Sequence, residues 1–481
     1  MVSASHSPRE PQARELTARI AALPMSRWHY NMIALTGAVL IFDTADQGLA
    51  SASQVDIAKA FGVHQTELGL LISAAFLGAT VSAALIGFLA DRFGRRRMIA
   101  LSILVFSLAT AGAALSQDFS HLLILRVIAG IGYGGLLPLA WAFGSEFAPT
   151  ARRGRTLSWL NAFYGAGSAL AYLIGLAVIA PFGWRWGFAV FLIPALLAIL
   201  VLKSMPEGIP YLIRKGRLDE AREQVERIEA RVLRGQPRPE PVVDADQLDA
   251  GADPSFLGAA KQLFGRRHLL ATTSTIMAWP IPSLFVAGLL SFYPLIFVND
   301  LGLSLPQVLG FLTFSSFMTI LGRILSGLFL DPVRRLSPSG MKIYLAIGVA
   351  FFGIVPFVVV VTTWSTTMLL VLLCAQYLLQ GLWAGAAMTY VPTVLPLALR
   401  NSGLGLFSAL TNVSQIVGPI LIGAVLEFGG TRAASTVVLV ASLVCAVFVL
   451  VFGHREHLVT APMHRQTDSA MDKTLEPSTD A

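Results

Sequence analysis

The chain has 481 residues, of which 55% are hydrophobic and only 13% charged. A water-soluble protein of this length needs more charged surface, so a soluble globule is excluded. The net charge of +7 does not point to nucleic acid, because its distribution along the chain follows a membrane pattern instead.

Residues 1–26 are polar and are expected to be a loose cytoplasmic tail. The first 24 contain no apolar core of signal-peptide type, so the first apolar run is expected to act as its own insertion signal. Twelve apolar runs follow, at about 30–51, 68–90, 98–116, 121–144, 156–180, 186–204, 268–298, 306–330, 341–362, 367–392, 403–427 and 432–453. A bilayer crossing takes roughly 20 apolar residues in a helix. Each run is continuous rather than alternating, which selects helices over barrel strands. The expected fold class is an all-α membrane protein with 12 transmembrane helices in two six-helix halves, 27–204 and 268–453, joined by a cytoplasmic linker over 205–267. With the N-terminus inside, all but five of the 35 Lys and Arg fall in cytoplasmic segments. Lys59, Arg185 and Arg432 fall outside, and Arg126 and Arg323 fall within spans. This asymmetry places both termini in the cytoplasm, and the expected location is a bacterial-type inner membrane.

Span 1 carries Phe42-Asp43-Thr44-Ala45-Asp46-Gln47-Gly48 near its middle. Span 2 runs into Gly87-Phe88-Leu89-Ala90-Asp91-Arg92-Phe93-Gly94-Arg95-Arg96-Arg97. Its glycines allow a tight turn and close helix packing. Asp91 can cap a helix or accept hydrogen bonds from arginines, and the arginines hold the turn in the cytoplasm. Span 4 carries Arg126 and then Gly130, Gly132, Gly134 and Gly135, a spacing that lets two helices approach closely. A basic turn follows, from Glu146 through Pro149 and Arg153 to Arg155.

Span 6 ends at Met205-Pro206-Glu207. In the polar insert that follows, Leu218, Ala221, Val225, Ile228 and Val232 recur at helical spacing, which predicts an amphipathic helix bracing the cytoplasmic face. Residues 235–254 are rich in Pro and Asp and read as a linker. The second half then repeats the first weakly. Gly327 and Asp331 are spaced like Gly87 and Asp91, and Pro396-Leu397-Ala398-Leu399-Arg400 echoes Pro149-Thr150-Ala151-Arg152-Arg153. Two halves related in this way imply a rocking transporter with its site near the midplane. Cys374 and Cys445 fall in apolar runs and are expected to be reduced packing residues. The tail after about 454 is polar.

A charge near the bilayer centre costs on the order of 2.5–3.5 kcal/mol on insertion scales and persists only if paired or hydrated. Asp43, Asp46 and Arg126 meet that description. The two aspartates are three residues apart and share a helix face. A carboxylate set between burial, a like charge and a nearby arginine can bind and release a proton. Arg126 can also fork onto a substrate carboxylate. On span 10, Gln376, Gln380, Trp383 and Tyr390 sit at offsets of 4, 7 and 14 on one face, which suits a ring bearing a carboxylate or hydroxyl. Tyr293 in span 7 and Asn412 and Gln415 in span 11 join the candidate binding set. Gly418-Pro419 reads as a kink or packing point. Arg323 reads as a snorkelling or structural residue near the cytoplasmic end. His64 and His121 lie near span ends, and no His/Cys cluster or G-x-x-x-x-G-K-[ST] loop is present, so neither a cofactor nor ATP drive is expected.

GFLADRFGRRR resembles the signature loop between helices 2 and 3 of the major facilitator superfamily. The resemblance implies that Gly87, Asp91, Arg92, Gly94 and Arg95, with Glu146 and Arg153 after span 4 and Asp331 and Arg400 in the second half, brace the conformational states of a transporter. More narrowly, Phe42-Asp43-Thr44-Ala45 with Arg126-x-x-x-Gly130 resembles paired elements of the aromatic acid/proton and sugar/proton symporters. So do the E-x-x-P-x-x-x-R-G turn at Glu146, Pro149, Arg153 and Gly154 and the Pro206-Glu207 element, where Gly208 replaces the usual Ser. This resemblance implies that Asp43 takes the proton and responds to Arg126. It departs from the aromatic acid group at Leu40, where a second aspartate is usual and for which Asp46 can substitute. It departs from the sugar group in span 7, which has no glutamine and offers Trp279, Phe292, Tyr293 and three prolines.

These features together lead to a secondary transporter, not an enzyme, that imports a small organic acid, an aromatic carboxylate, with a proton. Its expected partners are a small-molecule substrate, a proton and the bilayer, with no nucleic acid, and it is expected to work as a monomer. The alternatives are proton-coupled sugar or polyol uptake, drug or metabolite efflux by proton antiport, and a membrane sensor that has lost transport. Span 5 lacks the G-x-x-x-G-P element typical of antiporters in this superfamily, which favours import.

Overall fold

The computed structural model describes residues 9–240 and 261–453, apart from 267, 337–338, 363–364 and 396–398. The described residues are almost all helical and include no strand. Among the described residues, eleven helices are long and apolar enough to cross a membrane. The last of them covers Gly403–Phe452, 50 residues, which at about 1.5 Å per residue is far longer than a single crossing needs. It breaks at Gly430, whose φ of 71° leaves the helical region, and its two parts supply the eleventh and twelfth spans. Leu77, Val81, Leu85, Leu108, Ile124 and Ile128 are exposed on the outer faces of their helices. In water such a surface would aggregate, whereas in lipid it is matched.

The halves are built alike. In the first, span 1 (Arg27–Ala52) packs on span 5 (Arg153–Ile174), span 2 (Gln65–Phe93) on span 4, and span 3 (Arg95–Ala113) on span 6. In the second, the corresponding pairs are span 7 on span 11, span 8 (Leu305–Leu336) on span 10 (Thr366–Val394), and span 9 (Gly340–Val361) on span 12. Adding six to each number of the first set yields the second. The close approach of spans 2 and 4 is set by Gly78 and Gly130. A Cβ on either would lie 2.1 Å from the Val127 carbonyl oxygen or 1.9 Å from that of Ala75. Spans 8 and 10 repeat the device with Gly322 and Gly381, each 2.2 Å from a carbonyl oxygen across the interface. Small residues here let backbones touch where side chains would hold them apart. Gly418 is a packing point of the same kind, against the carbonyl of Leu284.

The halves meet through span 2 on span 11 and span 5 on span 8. They are tied at the end remote from the polar insert. There the Ser51 hydroxyl donates to the Ser291 carbonyl at 2.6 Å, and the Ser73 hydroxyl donates to the Ile416 carbonyl at 2.6 Å. Thr66 N–H donates to Glu427 at 3.2 Å.

At the opposite end the insert is ordered over its first part. Leu218–Leu233 is the expected amphipathic helix, burying Ala221, Val225, Ile228 and Val232. The expectation of a loose N-terminal tail is corrected. Arg9–Ala21 is a helix that buries Leu16 and Ile20, and Arg19 forks onto Glu229 of the insert helix at 2.8 and 2.7 Å. Arg238 reaches the same carboxylate at 3.0 Å. The apolar residues of this helix are few and widely spaced, so its sequence has no stripe that stands out until a partner helix covers it. The expected linker lies outside the described residues from 241 to 254, as does the tail after 453. The two cysteines are free.

Candidate functional site

Asp43 and Asp46 are both buried, with 2% and 0% exposure, but they look in different directions. Arg126 Nη1 donates to both Asp46 carboxylate oxygens at 3.0 Å, and Nη2 donates to the Asp46 backbone carbonyl at 3.3 Å. The Thr110 hydroxyl donates to the same carboxylate at 2.6 Å. The guanidinium also stands 5.9 Å from the centre of the Phe188 ring. The expected Asp43–Arg126 pair is therefore corrected to Asp46–Arg126. Three residues along a helix turn the side chain by about 60°, which is enough to aim Asp46 at spans 3 and 4 and Asp43 at span 5. With both terminal nitrogens on Asp46, the Arg126 fork is not open to a substrate carboxylate in this structure.

Asp43 accepts one hydrogen bond, from Gln47 Nε2 at 3.1 Å. Among the described residues no lysine or arginine pairs with it. The Tyr164 hydroxyl of span 5 lies beside Gln47 and Thr44. Beyond Tyr164 stands Arg323 of span 8. Arg323 Nη1 donates across the boundary between the halves to the Asn161 backbone carbonyl at 3.3 Å and its side-chain oxygen at 3.2 Å. Gly165 leaves room for it, since a Cβ there would lie 3.2 Å from Nη1. The sequence makes Arg323 a snorkelling or structural residue near the cytoplasmic end; in the structure its side chain turns to the boundary between the halves, and span 8 continues beyond it to Leu336. Arg323 met the same criterion that singled out Arg126, a cation in an apolar run. Only its destination was missing from the sequence.

The expected aromatic wall is largely internal to the second half. Tyr293 donates to Gln376 Oε1 at 2.8 Å, and both are buried. Trp383 is buried and stacked on Trp279, with ring centres 4.7 Å apart and planes 16° apart, and Phe352 closes its other side. Tyr390 is buried as well. Tyr293, Gln376, Trp383 and Tyr390 thus do not form an open face. Gln380, Asn412 and Gln415 are half-buried. Trp279 is half-buried too. It sits where span 7 leaves the helical conformation, at φ −136° and ψ −67°. Pro280 and Pro282 have no N–H to continue the ladder, which explains the break.

At the insert end, the loop after span 2 is clamped by two carboxylates. Glu146, in the last turn of span 4, accepts from Arg95 and from Ile209 N–H at 2.5 Å. Glu207 accepts from Arg96 N–H at 3.1 Å. Gln224 of the insert helix secures Glu207 by hydrogen bonds in both directions to its backbone, at 3.0 and 2.6 Å. Asp91 pairs with Arg214 at 2.6 Å, but this pair is exposed. Arg92 is exposed beside the Phe93 ring. Gly87 is corrected as a close-packing glycine, since it has no neighbour within 4 Å of where a Cβ would stand. Arg153 begins span 5. The side chains of Asp331 and Arg400, and the echo at 396–398, lie outside the described residues.

Gly94 is the demanding position in this loop. Its φ is 97°, and a Cβ would lie 2.7 Å from Glu207 Oε2. A side chain there costs about 1–3 kcal/mol in backbone strain and displaces the Glu207 carboxylate as well. Gly94→Leu is expected to slow transport strongly while leaving substrate affinity unchanged, because the loop contacts Glu146 and Glu207 at the insert end and not Asp43, Asp46 or Arg126. Initial uptake rates beside thermal-shift titrations check this, and a selective loss of affinity would contradict it. Asp91→Asn is expected to have the smaller effect, since its exposed ion pair contributes little.

The family model of the Major Facilitator Superfamily matches residues 35–374 and 339–471. The chain is 30% identical over 409 residues to the niacin transporter NiaP of Acinetobacter baylyi, covering 85% of this chain and 90% of that one. It is 28% identical over 428 residues to the 4-hydroxybenzoate transporter PcaK of the same organism, covering 85% and 87%. Among solved structures it resembles the inward-open xylose transporter XylE of E. coli with a TM-score of 0.68, at 18% identity over 90% of this chain and 98% of that one. The paired six-span halves, the clamped loop between spans 2 and 3, and these matches agree: the chain belongs to the Major Facilitator Superfamily and is a multi-pass membrane transporter.

Proposed function

We propose that this transporter brings a small organic acid, an aromatic monocarboxylate, into the cell together with a proton, with both chain termini on the cytoplasmic side. The observation that carries the proposal is the unequal treatment of two neighbouring carboxylates. Asp46 is neutralised by Arg126 and held by Thr110. Among the described residues, Asp43 has only Gln47. A carboxylate in the membrane interior without a cation is the group from which a proton is most readily taken up and released during a cycle. The niacin and 4-hydroxybenzoate relatives support the substrate class, since each is named for a ring that bears a carboxyl group.

In this reading the Asp46–Arg126 pair keeps spans 1 and 4 in register throughout the cycle. Protonation of Asp43 removes the one unbalanced negative charge of the first half and lets the halves rock about the contacts between spans 2 and 11 and spans 5 and 8. Competition uptake tests the substrate class. Benzoate-type acids are expected to inhibit uptake, and their uncharged amides of the same shape are not. Equal inhibition by the amides, or inhibition only by sugars, would end the organic-acid reading.

A further inference from the structure

We infer that Arg323 is the anchor for the substrate carboxylate, and that Arg323 and Asp43 together set the coupling at one proton per monoanion. The inference rests on the organic-acid reading above and names the site that the reading lacks.

Arg323 lies deep in an apolar span, yet its side chain is only half-buried. Among the described residues no carboxylate pairs with it. Among the described residues its hydrogen-bond partners are two oxygens of Asn161, and its Nε donor has none. A half-buried cation in an apolar span, held by neutral oxygens alone, is short of negative charge. A guanidinium with an unpartnered Nε donor and partial exposure elsewhere on its side chain can take a carboxylate through two parallel hydrogen bonds. It also spans the two halves, since span 8 belongs to the second and Asn161 to the first. A ligand bound there would touch both halves, as a ligand must if its binding is to bias their rocking.

The interior charges then have a simple balance. Asp46 and Arg126 cancel as a hydrogen-bonded pair. Asp43 and Arg323 are the remaining opposite charges, with Gln47, which donates to Asp43, and Tyr164 standing between them. The groups facing Asp43 are Asp46 and Gln47 on its own helix, Tyr133 from span 4 and Tyr164 from span 5. None of them is a cation. Without substrate, a charged Asp43 balances Arg323. A bound monoanion takes over that balance and leaves Asp43 as a surplus negative charge, which the low-dielectric interior penalises until a proton neutralises it. The proton adds to the Asp43 carboxylate as the anion settles on Arg323, and both leave on the far side. One cation thus admits one anion per proton, and the loaded carrier has the same charge as the empty one.

The test uses purified full-length protein in proteoliposomes, with nicotinate, benzoate and 4-hydroxybenzoate as probes and their amides as uncharged counterparts. Arg323→Gln is expected to weaken acid binding by about 10- to 100-fold, the range for losing a charge-assisted hydrogen bond. Acid uptake by the wild type is expected to be insensitive to an imposed membrane potential. An unchanged acid affinity in Arg323→Gln, with the wild type still preferring acids, would overturn the Arg323 assignment and leave the organic-acid reading standing. A wild type that takes amides as well as acids, or binds no acid, would overturn that reading and this inference with it. Potential-driven acid uptake would overturn the one-to-one coupling. Should Arg323→Gln not fold, Arg323→Lys carries the test. It keeps the charge and loses the fork, so the acid affinity must fall, and an unchanged acid affinity overturns the assignment.

Discussion

Asp43→Asn is expected to abolish accumulation of substrate against a gradient while leaving counterflow exchange in place. Asparagine keeps the shape and the hydrogen bond to Gln47, and it carries no negative charge. The carrier is then fixed in a state resembling the protonated one. It can still bind substrate and rock while loaded, so labelled substrate exchanges across the membrane. It cannot release a proton, so a pH gradient no longer drives net movement. The expected result is uptake that rises only to equilibrium, at any imposed pH difference. A variant that still concentrates substrate would show that Asp43 is not the coupling group. If Asp46→Asn removed accumulation in its place, the proton site would move one helical turn along span 1.

The second large effect is on stability. Asp46→Asn leaves Arg126 without its counter-ion in a site that is 1% exposed. Breaking a buried pair by removing one partner costs about 3–5 kcal/mol, because the remaining charge is uncompensated. The thermal unfolding midpoint of the purified variant should fall sharply below those of the wild type and Asp43→Asn. Adding Arg126→Gln removes the stranded charge and should restore much of the loss. If Asp46→Asn melted like the wild type, or if the double variant were worse than the single one, the pair would not be the interior lock that its geometry indicates. The contrast between neighbours matters here. Asp43→Asn should disable coupling at little cost to folding, and Asp46→Asn should do the reverse.

Much of this molecule was legible in its residues because the bilayer restricts what a chain can do. Continuous apolar runs have to be helices, since no water is available to satisfy an open backbone. The positions of the spans, the amphipathic helix at Leu218–Leu233 and the close-packing role of Gly130 followed from periodicity and spacing. The cost of a charge in lipid was enough to single out Asp43, Asp46 and Arg126. The loop from Gly87 to Arg97 was legible as a motif, but its two clamps were not. Glu207 lies 113 residues beyond Gly94, and nothing local indicates that its carboxylate fills the space in front of that glycine.

What the sequence determined by itself, then, was the all-helical membrane fold, its two related halves, and the short set of interior charges from which any coupling site must be drawn. Tertiary structure alone decided the pairings within that set. Whether Arg126 meets Asp43 or Asp46 depends on a rotation of about 60° around span 1 and on which neighbour lies on that side, so residue spacing along one helix leaves both pairings open. The same holds for Arg323, which becomes a cation between two halves only because span 8 packs on span 5. It holds for Trp383, whose helical face is turned inward to stack on Trp279. Helical periodicity states which residues share a face. The direction of that face is set by how helices pack, and lipid imposes no preference among buried directions.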